Sequence, residues 1–217
     1  HTYNPNDSNP TYALNPFSMT WENGNRYAIL GPSGCGKTTM LNIVSGLVRP
    51  TAGNILFDDK DVTNLKTESR NIAQVFQFPV IYNTMTVYDN LAFPLKCRNF
   101  KKEKIEERVQ SVSQTLNLSS FLNMPARKLT ADQKQLISLG RGLVREDVAA
   151  VLMDEPLTVI DPDLKFRLRR SLKEINEQYK TTLVYVTHDQ NEAMTFADNI
   201  IVMDQGEIVQ VGLPKEL

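Results

Sequence analysis

Gly31-Pro32-Ser33-Gly34-Cys35-Gly36-Lys37-Thr38 is the stretch that decides the fold. It satisfies the phosphate-binding pattern G-x-x-x-x-G-K-[ST] without a gap. The apolar run Tyr27-Ala28-Ile29-Leu30 precedes it, and Met40-Leu41, Ile43-Val44 and Leu47 follow at helical spacing. That is the strand–loop–helix context the motif needs. The glycines let successive backbone N–H groups point at one anion, and the helix start adds its positive end. In such a loop Lys37 reaches the β- and γ-phosphates and the Thr38 hydroxyl ligates Mg²⁺.

Partners for this loop appear downstream. The apolar run Val148–Met153 ends in Asp154-Glu155. A buried parallel strand with acids at its carboxyl end delivers them to the crevice beside the phosphate loop. Asp154 is placed to hold Mg²⁺ through water, and Glu155 to polarise a water for attack on the γ-phosphate. Thr187-His188-Asp189 follows the next apolar strand, so His188 can reach the γ-phosphate and the same water. Gln77 ends the segment Ile72–Phe76 at the same sheet edge, within reach of Mg²⁺ and water.

The pattern around these points is mixed α/β. Strands are expected at Phe17–Trp21, Tyr27–Leu30, Gly53–Asp58, Ile72–Phe76, Val148–Met153 and Thr182–Val186. Ile200–Met203 and Ile208–Val211 flank the turn Asp204-Gln205-Gly206-Glu207, a hairpin signature. Helices are expected after the phosphate loop to about Val48, then over 101–123, 132–144 and 164–179. Pro79 and Pro94 punctuate the stretch between. Alternating strands and helices imply a parallel α/β core. Residues 1–79 and 146–217 form that core, interrupted by a helix-rich insert over 80–145.

The 217 residues, 41% hydrophobic and 23% charged, suit one globular domain. A formal net charge of -1 gives no bulk attraction for nucleic acid, so none is expected as a partner. Cys35 and Cys97 are too few for a disulfide framework and read as reduced thiols. No apolar stretch approaches the roughly 20 residues that span a bilayer, so any membrane part comes from other chains. The opening on His1-Thr2-Tyr3 and the closing Gly212–Leu217, a turn and the start of a helix, read as cut ends.

The ordered motifs Gly31–Thr38, Phe76-Gln77, Leu129–Gln135, Leu152–Pro156, Thr158–Asp161 and Thr187-His188-Asp189-Gln190 resemble those of an ABC transporter nucleotide-binding subunit, over nearly the whole chain. Gly31–Thr39 and Thr187–Met194 are similar to the ATPases of bacterial sugar and polyol importers, the maltose-importer group. That group usually carries a C-terminal regulatory domain, not present in this chain. The resemblance implies a P-loop NTPase core with a parallel sheet, an antiparallel β subdomain and a helical insert. It implies ATP and Mg²⁺, held by Ser33, Gly34, Cys35, Gly36, Lys37, Thr38 and Thr39. Gln77 and Asp154 join Thr38 at the metal, and Glu155, His188 and Gln77 carry catalysis. Tyr3 matches the aromatic that stacks on adenine, with Tyr12 as the competing choice. Gln77 also matches the loop that couples nucleotide to two transmembrane permease subunits. Residues 78–93, with Phe78, Tyr82, Tyr88 and Phe93, match the surface that receives them; at least two of these aromatics are expected to be core. Asp161 matches the loop that crosses to a second ATPase subunit. The implied location is the cytoplasmic face of the inner membrane, peripherally bound.

One motif departs from the family. Its signature, normally Leu-Ser-Gly-Gly-Gln, is here Leu129-Thr130-Ala131-Asp132-Gln133. In the family this loop caps the γ-phosphate of ATP held by the other subunit of a head-to-tail dimer. Thr130 keeps the hydroxyl, whereas Ala131 and Asp132 bring Cβ atoms and a carboxylate into a site built for close backbone approach. At about 5 Å and an effective dielectric near 20, that carboxylate costs about 3 kcal/mol per phosphate charge before screening. The chain's own phosphate site reads as competent and what it offers a partner as weak, which favours a heterodimer over a homodimer. Two alternatives stay open: a nucleotide-binding interaction subunit with little turnover, and a soluble non-transport ABC ATPase. The transported solute, a sugar or a polyol such as glycerol in the resembled group, is not written in these residues.

Overall fold

The computed structural model describes residues 1–158 and 160–217. The central strand is β1 (Arg26–Leu30), which runs straight into the phosphate loop and the helix α1 (Lys37–Ser45). A short antiparallel pair follows, β2 (Leu56–Phe57) and β3 (Lys60–Asp61), then β4 (Ala73–Val75). Three helices come next: α2 (Val87–Lys96), α3 (Lys102–Thr115) and α4 (Ala131–Leu143). The chain returns through β5 (Ala150–Asp154), α5 (Pro162–Tyr179), β6 (Thr182–Thr187), α6 (Gln190–Phe196), β7 (Asn199–Asp204) and β8 (Glu207–Gly212).

The main sheet has the order β4-β5-β6-β1-β7-β8. Its first five strands are mutually parallel, and only β8 pairs antiparallel, through the hairpin with β7. Because successive side chains of a strand face opposite sides, β5 and β6 feed two cores. Val151, Met153, Leu183 and Tyr185 face the helical insert and α5. Leu152, Val184 and Val186 face α1 with Ile29, Leu41 and Ile201. Both strands are buried along their whole length, as uninterrupted apolar runs require.

The carboxyl ends of β1, β4, β5 and β6 point the same way. Their loops therefore bring the phosphate loop, Gln77, Asp154-Glu155 and His188 to one edge. Behind that edge α1 is tethered at its C-terminus by Arg70. Its buried guanidinium donates to the carbonyls of Ile43 at 2.7 Å and Val44 at 2.9 Å. A cation on the free carbonyls of a helix end offsets the macrodipole.

Several elements differ from the sequence expectation. Phe17–Trp21 is not a strand. Asn15 donates its backbone N–H to the Gly206 carbonyl at 2.8 Å, and Trp21 packs on Tyr27 of the central strand at 5.9 Å, so packing of Met19 and Trp21 on the face of the sheet replaces a ladder. The strand expected over 53–58 shrinks to Leu56–Phe57. The helix expected over 101–123 stops at Thr115, and a 3₁₀ turn at Ser119–Phe121 follows. The helix expected to reach about Val48 ends at Ser45, where Gly46 adopts φ 82°. The last residues form a turn without a helix start. Two helices were not foreseen. α2 is started by Thr86, whose hydroxyl accepts from Asp89 N–H at 3.0 Å, and it tolerates Pro94 near its end. α6 is started by Asp189, whose carboxylate accepts from Asn191 N–H at 2.7 Å and Glu192 N–H at 3.1 Å.

Candidate functional site

The phosphate loop takes its shape from two glycines. Gly34 has φ 81° and Gly36 φ 104°, a region L side chains rarely adopt. A Cβ on Gly36 would lie 2.6 Å from the Ala13 carbonyl oxygen, so the N-terminal segment straps the loop from outside. On the other side Gly206, in the β7–β8 turn, donates its N–H to the Cys35 carbonyl at 3.1 Å. The loop is thus clamped between the two chain ends. Lys37 is buried and folds back, its Nζ donating to the carbonyls of Gly31 at 2.7 Å and Pro32 at 2.8 Å.

A cavity of about 230 Å³ opens beside this loop, lined by Ser33, Gly34, Gly36, Lys37, Thr38, Thr39, Gln77, Asp154 and Glu155. It brings together residues from four elements that the sequence had nominated separately. Asp154 is buried, and burial pushes its carboxyl above the usual carboxylate range, Glu155 adding in the same direction. The Thr38 hydroxyl bonded to it and the Lys37 ammonium pull it back. Among the described residues no cluster of three His, Cys, Asp or Glu side chains could cage a metal. A hydroxyl, an amide and one carboxylate, from Thr38, Gln77 and Asp154, fit instead a hard cation that keeps several waters and shares phosphate oxygens.

Glu155 has the left-handed φ of 44°, costly for a residue with a Cβ. Its N–H donates to Val186 on β6 at 3.1 Å, which holds the turn in that conformation. One carboxylate oxygen lies 3.2 Å from Nδ1 of His188. The other lies 3.4 Å from the Thr158 hydroxyl, which also donates to the Glu155 carbonyl at 2.9 Å. His188 is exposed at its ring, so it meets both the carboxylate and solvent.

The remaining nominated residues lie around or away from the cavity. The Cys35 thiol is buried off its lining, and its N–H turns inward to Pro32 at 3.3 Å. The Tyr3 hydroxyl sits 3.2 Å from the Thr39 hydroxyl, with the ring exposed. Tyr12 is exposed on the same N-terminal segment and pairs with Thr2. Thr130 is the N-cap of α4 in a reciprocal capping box with Gln133; Ala131 and Asp132 occupy its first turn. Asp161 caps α5, accepting from Asp163 N–H at 3.0 Å. Both helix starts stand apart from the cavity of this chain. Val159, within the Thr158–Asp161 motif, lies outside the described residues. Of the four aromatics over 78–93, Phe78 is exposed, Tyr82 stacks on Phe93 at 4.7 Å, and Tyr88 packs on the core.

Two participants, Thr158 and Gln135, stand in the sequence only as the bounds of the motifs Thr158–Asp161 and Leu129–Gln135, with no role of their own. Thr158, a lone hydroxyl in a turn, carries no periodic signal. Gln135 is fully buried and donates to the carbonyls of Phe76 at 3.2 Å and Pro156 at 2.8 Å. A polar residue beside the apolar face of α4 was the available cue.

Comparison with known proteins bears on this geometry. A family profile described as ABC transporter matches residues 14–158. The sn-glycerol-3-phosphate import ATP-binding protein UgpC of Pectobacterium atrosepticum is 42% identical over 207 residues, 95% of this chain and 58% of its own length. The trehalose/maltose import ATP-binding protein MalK of Thermococcus litoralis is 44% identical over 211 residues, 94% of this chain and 56% of its own. The chain therefore spans less than three fifths of the length of these relatives. Among solved structures, cbiO1 of Clostridium perfringens, part of an ABC transporter complex, superposes with a TM-score of 0.86 at 28% identity, covering 99% of this chain and 86% of that one. A dimeric ATP-binding cassette in a post-hydrolysis state with ADP and Pi gives 0.84 at 28% identity, with coverage of 98% and 95%.

Proposed function

This chain belongs to the ABC transporter family, and from that membership we propose that it is the ATP-binding, ATP-hydrolysing subunit of an importer. It powers uptake of a small solute, a sugar or a polyol such as glycerol, through two separate transmembrane permease subunits, at whose cytoplasmic face it sits. The names of the relatives support the solute class. Among the described residues no helix is long and apolar enough to cross a membrane, in keeping with separate permease chains. Residues 1–79 and 146–217 serve as the ATPase core and 80–145 as the helical unit; residues 78–93, with Phe78 exposed, meet the permeases.

The observation that carries this reading is the pairing of Glu155, in the wall of the cavity that the phosphate loop lines, with His188 at 3.2 Å. Ser33, Gly34 and Gly36 offer backbone approach to phosphate oxygens, with Cys35 holding the loop from behind. Lys37 supplies the nearest fixed cation, and Thr38 and Thr39 contribute hydroxyls. Thr38, Gln77 and Asp154 would hold Mg²⁺, which would supply charge neutralisation at the phosphates. Glu155 takes the proton from the attacking water as the new O–P bond forms and the bond between the γ-phosphorus and the β–γ bridging oxygen breaks, ADP leaving with that oxygen. His188 fixes the carboxylate and can reach the γ-phosphate. Tyr3, beside Thr39, is the adenine platform.

A second reading is favoured by Asp132. The first turn of α4 offers a partner's γ-phosphate its free N–H groups, and Asp132 sets a carboxylate among them. A heterodimer, with Asp161 at the crossing loop, then keeps one strong and one weak site; a chain pairing only with itself becomes a binding subunit with little turnover. The test is the ATPase rate of the assembled transporter carrying Lys37→Ala. We expect turnover to be lost, and wild-type turnover in that variant would refute the assignment of the loop.

A further inference from the structure

Gln135 stands at the meeting point of three segments. It lies on α4 one turn after Ala131, so its Cα shares a face with the start of that helix. Its side chain is fully buried and leaves the helix toward the carboxyl ends of β4 and β5. Those strands pair in parallel as far as Val75 and Met153. Beyond that register the ladder stops, and the Gln135 amide takes over. Nε2 donates to the carbonyl of Phe76, immediately before Gln77, at 3.2 Å. It donates its second hydrogen to the carbonyl of Pro156, immediately after Glu155, at 2.8 Å. Both partners are acceptors only, so the amide orientation follows from chemistry. The other end, Oε1, is buried without a partner among the described residues. Buried acceptors are nearly always satisfied, and an exception calls for a reason.

The geometry points to Gln135 as a positioning residue that ties Gln77 and Glu155 to the start of α4. The amide sets the spacing of the two loops that wall the cavity, and it does so from the helix whose first turn is Ala131-Asp132-Gln133. A displacement of that turn is passed to Gln77 and Glu155 through one side chain. The unpartnered Oε1 is the acceptor left over for a backbone N–H when α4 shifts, which gives the tie a second arrangement. This inference rests on the ATPase reading of the same site, yet it concerns what holds the site together.

The test uses the full-length protein in its assembly. Gln135→Met keeps the length and removes both donors; Gln135→Glu keeps the shape, and its carboxyl, held neutral by burial, retains one donor. Three quantities are read: hydrogen exchange at residues 76–79 and 155–158, the affinity for a fluorescent ATP analogue, and kcat against KM for ATP. In Gln135→Met we expect faster exchange in both loops at an unchanged rate in β1. Analogue affinity should stay within about twofold, and kcat should fall about tenfold to a hundredfold, the scale of a misplaced catalytic group. Gln135→Glu should recover part of both changes. Unchanged exchange in both loops overturns the inference, as does wild-type kcat in Gln135→Met. A wild-type protein that hydrolyses no ATP refutes the function instead, and the exchange data then decide Gln135 alone. If Gln135→Met does not fold, the same exchange comparison is made on Gln135→Glu.

Discussion

Two glycines of the phosphate loop separate packing from ligand access. Gly34 and Gly36 both have positive φ, yet a Cβ on Gly34 meets nothing within 4 Å, whereas one on Gly36 meets the Ala13 carbonyl at 2.6 Å and Leu14 at 2.8 Å. Alanine at Gly34 therefore suffers only the left-handed penalty, about 1–2 kcal/mol, partly offset by a stiffer unfolded chain. For a domain of this size a net loss near 1 kcal/mol lowers Tm by about 2–4 °C. Alanine at Gly36 adds a backbone clash that must open by several tenths of an ångström, an overpacking cost of about 1–3 kcal/mol. The combined loss of about 2–4 kcal/mol then lowers Tm by about 4–16 °C. Binding should rank differently. Gly34 lines the cavity where phosphate must approach and a methyl there meets no protein atom, so that variant should lose nucleotide affinity while staying nearly as stable as wild type. The assays are thermal unfolding without nucleotide and calorimetric titration with a non-hydrolysable ATP analogue in Mg²⁺. Equal Tm values for the two variants would refute the strap over Gly36. Wild-type affinity in Gly34→Ala would show that phosphate does not occupy this cavity.

Other outcomes follow from the same geometry. Glu155→Gln should leave ATP binding intact and cut steady-state hydrolysis severely, so that an ATP-bound closed dimer accumulates; an unchanged rate removes Glu155 as the base. Asp154→Asn should raise the Mg²⁺ concentration needed for half-maximal activity with little change in metal-free nucleotide affinity, read by Mg²⁺ titration. Ala131→Gly with Asp132→Gly, in the Glu155→Gln background, should strengthen ATP-driven self-association by up to about 3 kcal/mol per site, less in salt. Equal mass by light scattering with and without the double change shows that the carboxylate points away.

The site was legible where chemistry forces residue type. The phosphate loop, Asp154-Glu155, Gln77 and His188 each end a strand of one parallel sheet, so strand order alone predicts their convergence. Long amphipathic helices and buried strands were equally plain, within a few residues at most of their ends; the helix expected over 101–123 stops eight residues early, at Thr115. Phe17–Trp21 misled because its alternation, Met19 and Trp21, serves packing on the face of the sheet, which looks the same in sequence as pairing within a sheet. α2 was hidden by Pro94, which reads as a breaker but sits in the last turn, and α6 is too short for periodicity to declare it. Gln135 and Thr158 were visible only as motif bounds; the contacts of Gln135, with carbonyls of distant segments, leave no trace in local spacing.

The position of β1 has a consequence for synthesis. This first strand to form pairs with β6 and β7 and with nothing nearer, so both its edges stay open until residues 182–204 exist. The turn that backs the phosphate loop, at Gly206, comes later still. A chain emerging from the ribosome thus carries its complete phosphate motif for most of its elongation without a scaffold to shape it. Nucleotide-binding competence should arise abruptly near the end of translation of this segment, and until then an apolar strand edge waits beside it for a chaperone to shield.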